Sequence, residues 1–148
     1  MRTESAKTHR PLLVDHAIQI RTYDIDFMGV VSNIVYLRWL EDMRLLFLEQ
    51  WCPIQEQLDE HITPVLTRTE IDYILPLKMN DKPFAQMWLK NMTRVRFSLE
   101  AEISANGKIV MHAIQHGTYL TMKNLRPVPV PTKLRNRYTN WLTAHKKE

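Results

Sequence analysis

The chain has 148 residues, 45% hydrophobic and 24% charged, with a formal net charge of +4. That length and balance fit one globular domain with a real core, and exclude a disordered chain. The excess of positive charge is mild and scattered through mixed-charge segments, which points away from nucleic acid and is compatible with an anionic small-molecule substrate.

Residues 1–11 are polar, lack the apolar stretch of a signal peptide, and are expected to form a loose N-terminal tail. Leu12 to Tyr23 mixes apolar and polar residues in a strand-like way, with Val14, His16, Ile18 and Ile20 on one parity. A loop follows, Tyr23-Asp24-Ile25-Asp26-Phe27-Met28-Gly29-Val30-Val31-Ser32, holding two close carboxylates and one of only three glycines.

The spacing predicts a helix over Asn33 to Trp51. The segment is rich in Leu, Met, Arg and Glu, has no Gly or Pro, can be capped by Ser32 or Asn33, and stops at Cys52-Pro53. Its apolar residues cover most of the circumference, so it is expected to be largely buried under a curled sheet. Glu41 and Arg44 are spaced as an i,i+3 pair on its surface.

After a polar connection come four strand-like runs: Ile62 to Leu77, Phe84 to Met92, Val95 to Ile103 and Ile109 to Thr121. Asn106-Gly107 between the last two is a strong hairpin signal, because a type I′ turn needs positive φ at both central residues. Pro127, Pro129 and Pro131 mark an extended connector, and Thr132 to Lys147 reads as a basic C-terminal helix. Residues 126–148 are thus a C-terminal extension of a single domain spanning 1–148. The order strand, buried helix, four antiparallel strands is that of an α+β fold in which a sheet wraps a central helix, the hotdog architecture.

Cys52 is the sole cysteine, so no intrachain disulfide is possible. No apolar run is long enough to span a bilayer. The reading is a cytoplasmic protein without membrane insertion. His112 and His116 lie on one face of a strand, about 13 Å apart at ~3.3 Å per residue, too far to share one metal ion. There is no Gly-x-Ser-x-Gly elbow and no Gly-rich phosphate loop.

The loop and helix start, with Tyr23, Asp24, Asp26, Gly29, Val30, Val31, Tyr36 and Glu41, resemble the hotdog thioesterases of the 4-hydroxybenzoyl-CoA and acyl-CoA thioesterase type. Ile71-Asp72-Tyr73, Pro76 and Asp81 add a second match, and the resemblance covers about residues 12 to 122. It implies hydrolysis of an acyl- or aroyl-CoA thioester to a carboxylic acid and CoA, with no cofactor and no metal. It makes Asp26 the catalytic carboxylate, as nucleophile or as base. The backbone N–H of Asn33, aided by Val31 or Ser32, would polarise the thioester carbonyl, and Gly29 would let the loop approach the substrate. Tyr36 and Tyr73 are candidate pocket residues, though Tyr36 also fits plain core packing. Lys90, Arg94 and Arg96 are candidate contacts for CoA. The resemblance further implies a homodimer or homotetramer. Asn33 replaces an aromatic residue of relatives, and the loop has no histidine, which argues against a hydratase and against His-assisted hydrolysis. Alternatives are a thioesterase acting on acyl carrier protein and a non-catalytic acyl-binding module.

Overall fold

A computed structural model describes residues 9–146. Helix α1 covers Asn33–Trp51, as expected from its uninterrupted helix formers between Ser32 and Pro53. Around it lie strands β1 (Val14–Ala17), β2 (Ile62–Tyr73), β3 (Phe84–Met92), β4 (Arg96–Ala105), β5 (Lys108–Thr121) and β6 (Pro127–Val128). A short helix α2 (Ile54–Asp59) follows α1, and α3 (Thr132–Ala144) ends the described chain. The strands form one antiparallel sheet in the order β1-β3-β4-β5-β2, with β6 added to β5.

Period-two alternation sorts the sheet into two faces. Phe97, Leu99, Ala101 and Ile103 on β4 and Met111, Ala113 and Tyr119 on β5 are buried toward α1, which answers with Val35, Tyr36, Trp39, Leu40, Met43 and Phe47. The β4–β5 hairpin turns at Asn106 and Gly107, with φ of 54° and 74°, the two positive values that the Asn-Gly pair foretold.

Three expectations change. The first strand is only Val14–Ala17: Ile18 continues it by one bond to Pro83, after which the chain turns through a 3-10 segment at Thr22–Asp24. The expected loose tail lies mostly outside the described residues, but its end is packed. Arg10 and Pro11 are buried, Leu89 donates to the Pro11 carbonyl, and Arg10 lies 4.1 Å over the Trp88 ring while pairing with Glu102 at 3.1 Å. Finally, α1 is not covered all round within one chain. It approaches β1 and β3 most closely, leaving Ile34, Leu37 and Leu45 exposed on the side toward β2.

Candidate active site

The two carboxylates of the loop separate into two jobs. Asp24 is buried, accepts the Arg21 backbone N–H at 2.8 Å on its side chain, and gives its own carbonyl to the Ser32 N–H at 2.9 Å. It therefore ties the loop to the helix start.

Asp26 opens a miniature hairpin. Its N–H donates to Val30 (2.9 Å), its carbonyl accepts from Gly29 (3.0 Å), and Ile25 bridges Val31. This is a three-residue connection whose last residue must be left-handed, and Gly29 supplies it at φ +82°. Nothing lies within 4 Å of where a Gly29 Cβ would be. The turn by itself therefore requires glycine here, through its positive φ. Asp26 Oδ1 accepts the N–H groups of Met28 at 2.8 Å and Val30 at 3.5 Å. No protein donor among the described residues meets Oδ2. One oxygen fixes the carboxylate, and the other is available for chemistry.

The main-chain donors also sort themselves. The Val31 N–H is given to Leu77 at 2.8 Å and that of Ser32 to Asp24. Both are spent on protein acceptors, so of the three expected donors Asn33 alone is left undonated. The amides of Asn33 and Ile34, in the first turn of α1, donate to no protein acceptor among the described residues, and Ser32 provides no side-chain cap. Such orphan amides at the positive end of a helix suit an oxygen that gains negative charge. Ile34 was missed from sequence because only the folded loop reveals which amides are spent.

Tyr73 reaches this end of the helix, donating from its hydroxyl to the Asn33 carbonyl at 3.2 Å. Its ring meets Tyr36 edge-on at 5.3 Å, and Tyr36 meets Trp39 at 5.2 Å. Tyr36 itself is buried; burial, then the neighbouring Tyr73 and Asp81, push its phenol above the ordinary value, with a backbone hydrogen bond at Leu77 opposing. It serves as packing beneath the site, and Tyr73, partly exposed, is the surface member of the pair. Around them Tyr23, Phe27, Met28 and Ile34 expose large apolar side chains, Phe27 at 95%.

A family profile described as Thioesterase-like superfamily matches residues 20–138. The chain belongs to that superfamily. Among solved structures, it resembles a thioesterase from Thermus thermophilus complexed with coenzyme A and Zn (TM-score 0.75, 23% identity, 90% of this chain and 96% of that one). It also resembles the protein SAV2348 from Staphylococcus aureus in complex with CoA (TM-score 0.82, 13% identity, 88% and 84%). A third likeness is to a DHNA-CoA thioesterase from Staphylococcus aureus (TM-score 0.73, 19% identity, 91% and 89%). At these identities the likeness establishes the hotdog fold.

The remaining candidates of this thioesterase-superfamily chain are not gathered at Asp26. Lys90, Arg94 and Arg96 are exposed around the β3–β4 turn, where Arg96 pairs with Thr118. Next along β5, Tyr119 contacts Cys52 just past the C-terminal end of α1, at 3.6 Å. The helix, about 28 Å long at 1.5 Å per residue, separates these three cations from Asp26 within one chain. His112 and His116 are on the outer sheet face, held by Glu100 at 2.6 Å and by Ser98 at 2.8 Å. No group of three His, Cys, Asp or Glu side chains among the described residues forms a metal site. No helix there is long and apolar enough to cross a membrane. Arg44 donates inward to Gln115 at 2.8 Å; burial lowers its pKa, and the charge of Glu41, three residues before it, opposes that.

Proposed function

We propose that this protein hydrolyses acyl-CoA or aroyl-CoA thioesters to a free carboxylic acid and CoA, with Asp26 as the catalytic carboxylate. The observation that carries this reading is the pairing of one anchored, half-used carboxylate with two undonated amides at the start of α1. In this reading the thioester carbonyl oxygen sits against the Asn33 and Ile34 N–H groups. Asp26 Oδ2 either attacks the carbonyl carbon, giving a mixed anhydride that water opens, or takes a proton from a water that attacks. Either way the C–S bond breaks, CoA leaves as the thiolate and takes up a proton, and the oxyanion is held throughout by donors that need not move. Superfamily membership and the CoA bound by two structurally similar proteins support the choice of carrier.

The exposed apolar residues around Asp26 and the uncovered β2 side of α1 support association into a homodimer or homotetramer. In such an assembly Lys90, Arg94 and Arg96, remote from Asp26 in one chain, would reach CoA only from across a subunit boundary.

The test is steady-state hydrolysis of short, medium, long and aromatic acyl-CoAs by the native protein and by Asp26→Asn. The amide keeps an acceptor for the Met28 N–H, so the fold is retained, while kcat falls about 100-fold or more. Near-background turnover by the native protein on every CoA ester, with acyl-carrier-protein esters cleaved, moves the assignment to the carrier-protein class. Inactivity on both leaves an acyl-binding module.

A further inference from the structure

A single peptide unit links strand β2 to the start of α1. Tyr73 is the last residue of β2 and stands on the inner face of the sheet, opposite the buried Met111. Its hydroxyl donates to the Asn33 carbonyl at 3.2 Å, across 40 residues of sequence. A helical carbonyl accepts one N–H from four residues further on and keeps a second lone pair; the Tyr73 hydroxyl takes it. The Tyr73 ring rests edge-on against Tyr36 at 5.3 Å, and buried Tyr36 against Trp39 at 5.2 Å. Packing thus aims the phenol at this carbonyl. All of these contacts lie within one chain and hold whether or not chains associate.

The Asn33 carbonyl and the Ile34 N–H are the two ends of one planar peptide. A donor on the carbonyl draws electron density toward oxygen and makes the N–H at the other end a stronger donor, as in any chain of hydrogen bonds. The Ile34 N–H is one of the two first-turn amides with no protein acceptor among the described residues. The other, that of Asn33, shares its peptide with the Ser32 carbonyl, which accepts from Val35 at 2.9 Å inside the helix's own first turn. Each undonated amide is therefore backed by a bond on the carbonyl of its own peptide, one local to α1 and one sent from β2. We propose that Tyr73 is a positioning residue for thioester hydrolysis, orienting and polarising the Asn33–Ile34 peptide so that the Ile34 N–H holds the developing oxyanion. This rests on the thioester reading above and adds to it a side chain that acts through the backbone.

Tyr73→Phe keeps the ring and removes the hydroxyl. An oxyanion donor contributes about 10²–10³ in rate, and a bond behind it strengthens it by about 10–30%, so kcat on a cleaved acyl-CoA is expected to fall about 2- to 8-fold. KM is expected to stay unchanged, because the contact is made in the transition state. Amide resonances of the isotope-labelled protein read the same relay without catalysis. In Tyr73→Phe the Ile34 amide nitrogen is expected to move upfield, and further than that of Asn33. Replacing Tyr73 by 3-fluorotyrosine, a stronger donor on nearly the same ring, is expected to move it downfield and to hold kcat at or above the native value. A part in packing alone would move the Asn33, Ile34, Met28 and Val30 amides together, and in one direction for both replacements. That pattern overturns the proposal, as does native kcat in Tyr73→Phe. Should Tyr73→Phe melt far below the native protein, the fluorinated protein decides by the direction of its Ile34 shift. A native protein that cleaves no thioester, with the Ile34 resonance still following the phenol, refutes the hydrolysis on which the proposal rests. An active native protein indifferent to Tyr73 refutes the relay alone.

Discussion

The Asn33 amide can be removed without disturbing the helix. Proline is well tolerated at the first helical position, where its missing N–H has no intrahelical partner. Ser32, the residue before it, already sits at φ −64° and ψ 140°, the extended region a following proline imposes. The Asn33 carbonyl that Tyr73 uses is untouched. Asn33→Pro is therefore expected to melt within a degree or so of the native protein while kcat drops about 100-fold, the usual effect of losing one oxyanion donor. Stopped-flow hydrolysis beside thermal denaturation measures both; a full-rate variant would remove the helix start from the mechanism. At this scale, legibility from sequence divided by atom type. Asp26 stood out because a carboxylate and a glycine shared a loop before a strong helix. Which amides remained undonated did not, because Leu77, the partner that consumes the Val31 N–H, is 46 residues away and joined to it only by folding.

Elements were legible where local chemistry and tertiary packing agreed. Helix α1 ran as expected because Ser32 starts it and Pro53 stops it, and the β4–β5 hairpin because Asn106-Gly107 admits one turn. β6 was not legible. Three alternate prolines gave an extended connector, but its pairing with Tyr119 and Leu120 and the Val130 bond to Arg94 depend on neighbours distant in sequence. Arg44 was half legible for the same reason, since its i,i+3 neighbour Glu41 is visible in the sequence and its hydrogen-bond partner Gln115 is not. Helix α3 owes its seat to Arg137, which donates to the Trp51 carbonyl at the end of α1 and reaches Glu56 at 3.4 Å. Arg137→Met keeps the stem and loses both bonds. It is expected to lower unfolding free energy by about 1–3 kcal/mol, read as a shifted urea midpoint, and an unchanged midpoint would deny that α3 is held this way.

For the molecule as a whole, burial determines the response to alkali. Burial pushes the Cys52 thiol above its usual 9.0, with the Tyr119 hydrogen bond opposing, and pushes the Tyr119 phenol far above its usual 10.0. Groups raised in the folded state release protons more readily from the unfolded chain. Their contribution is complete below about pH 9 and is lost as pH climbs above it. Urea midpoints are expected to hold from pH 7 to pH 8.5 and fall by pH 10.5, with a shallower fall in Cys52→Ala; a flat profile to pH 10.5 contradicts the linkage. Association is the other property of the whole. Ile34 and Leu37 are exposed and contribute little to the core of one chain, so Ile34→Asp with Leu37→Asp should convert an oligomer to monomers while circular dichroism stays native. Light scattering on the eluting peak decides this, and a monomeric native protein would contradict the association.

The hydrogen bonds of Asp26 stay within its own hairpin, running to Met28, Gly29 and Val30, while Val31 alone ties the hairpin outward through its bond to Leu77. Leu134 of α3 is buried in the core and takes no part in that hairpin. Substitutions at the two places share no partners, so their free-energy effects should sum, within about 0.5 kcal/mol. The core around Leu134 could then drift with the carboxylate hairpin inherited unaltered, the two being separately evolvable parts of one chain.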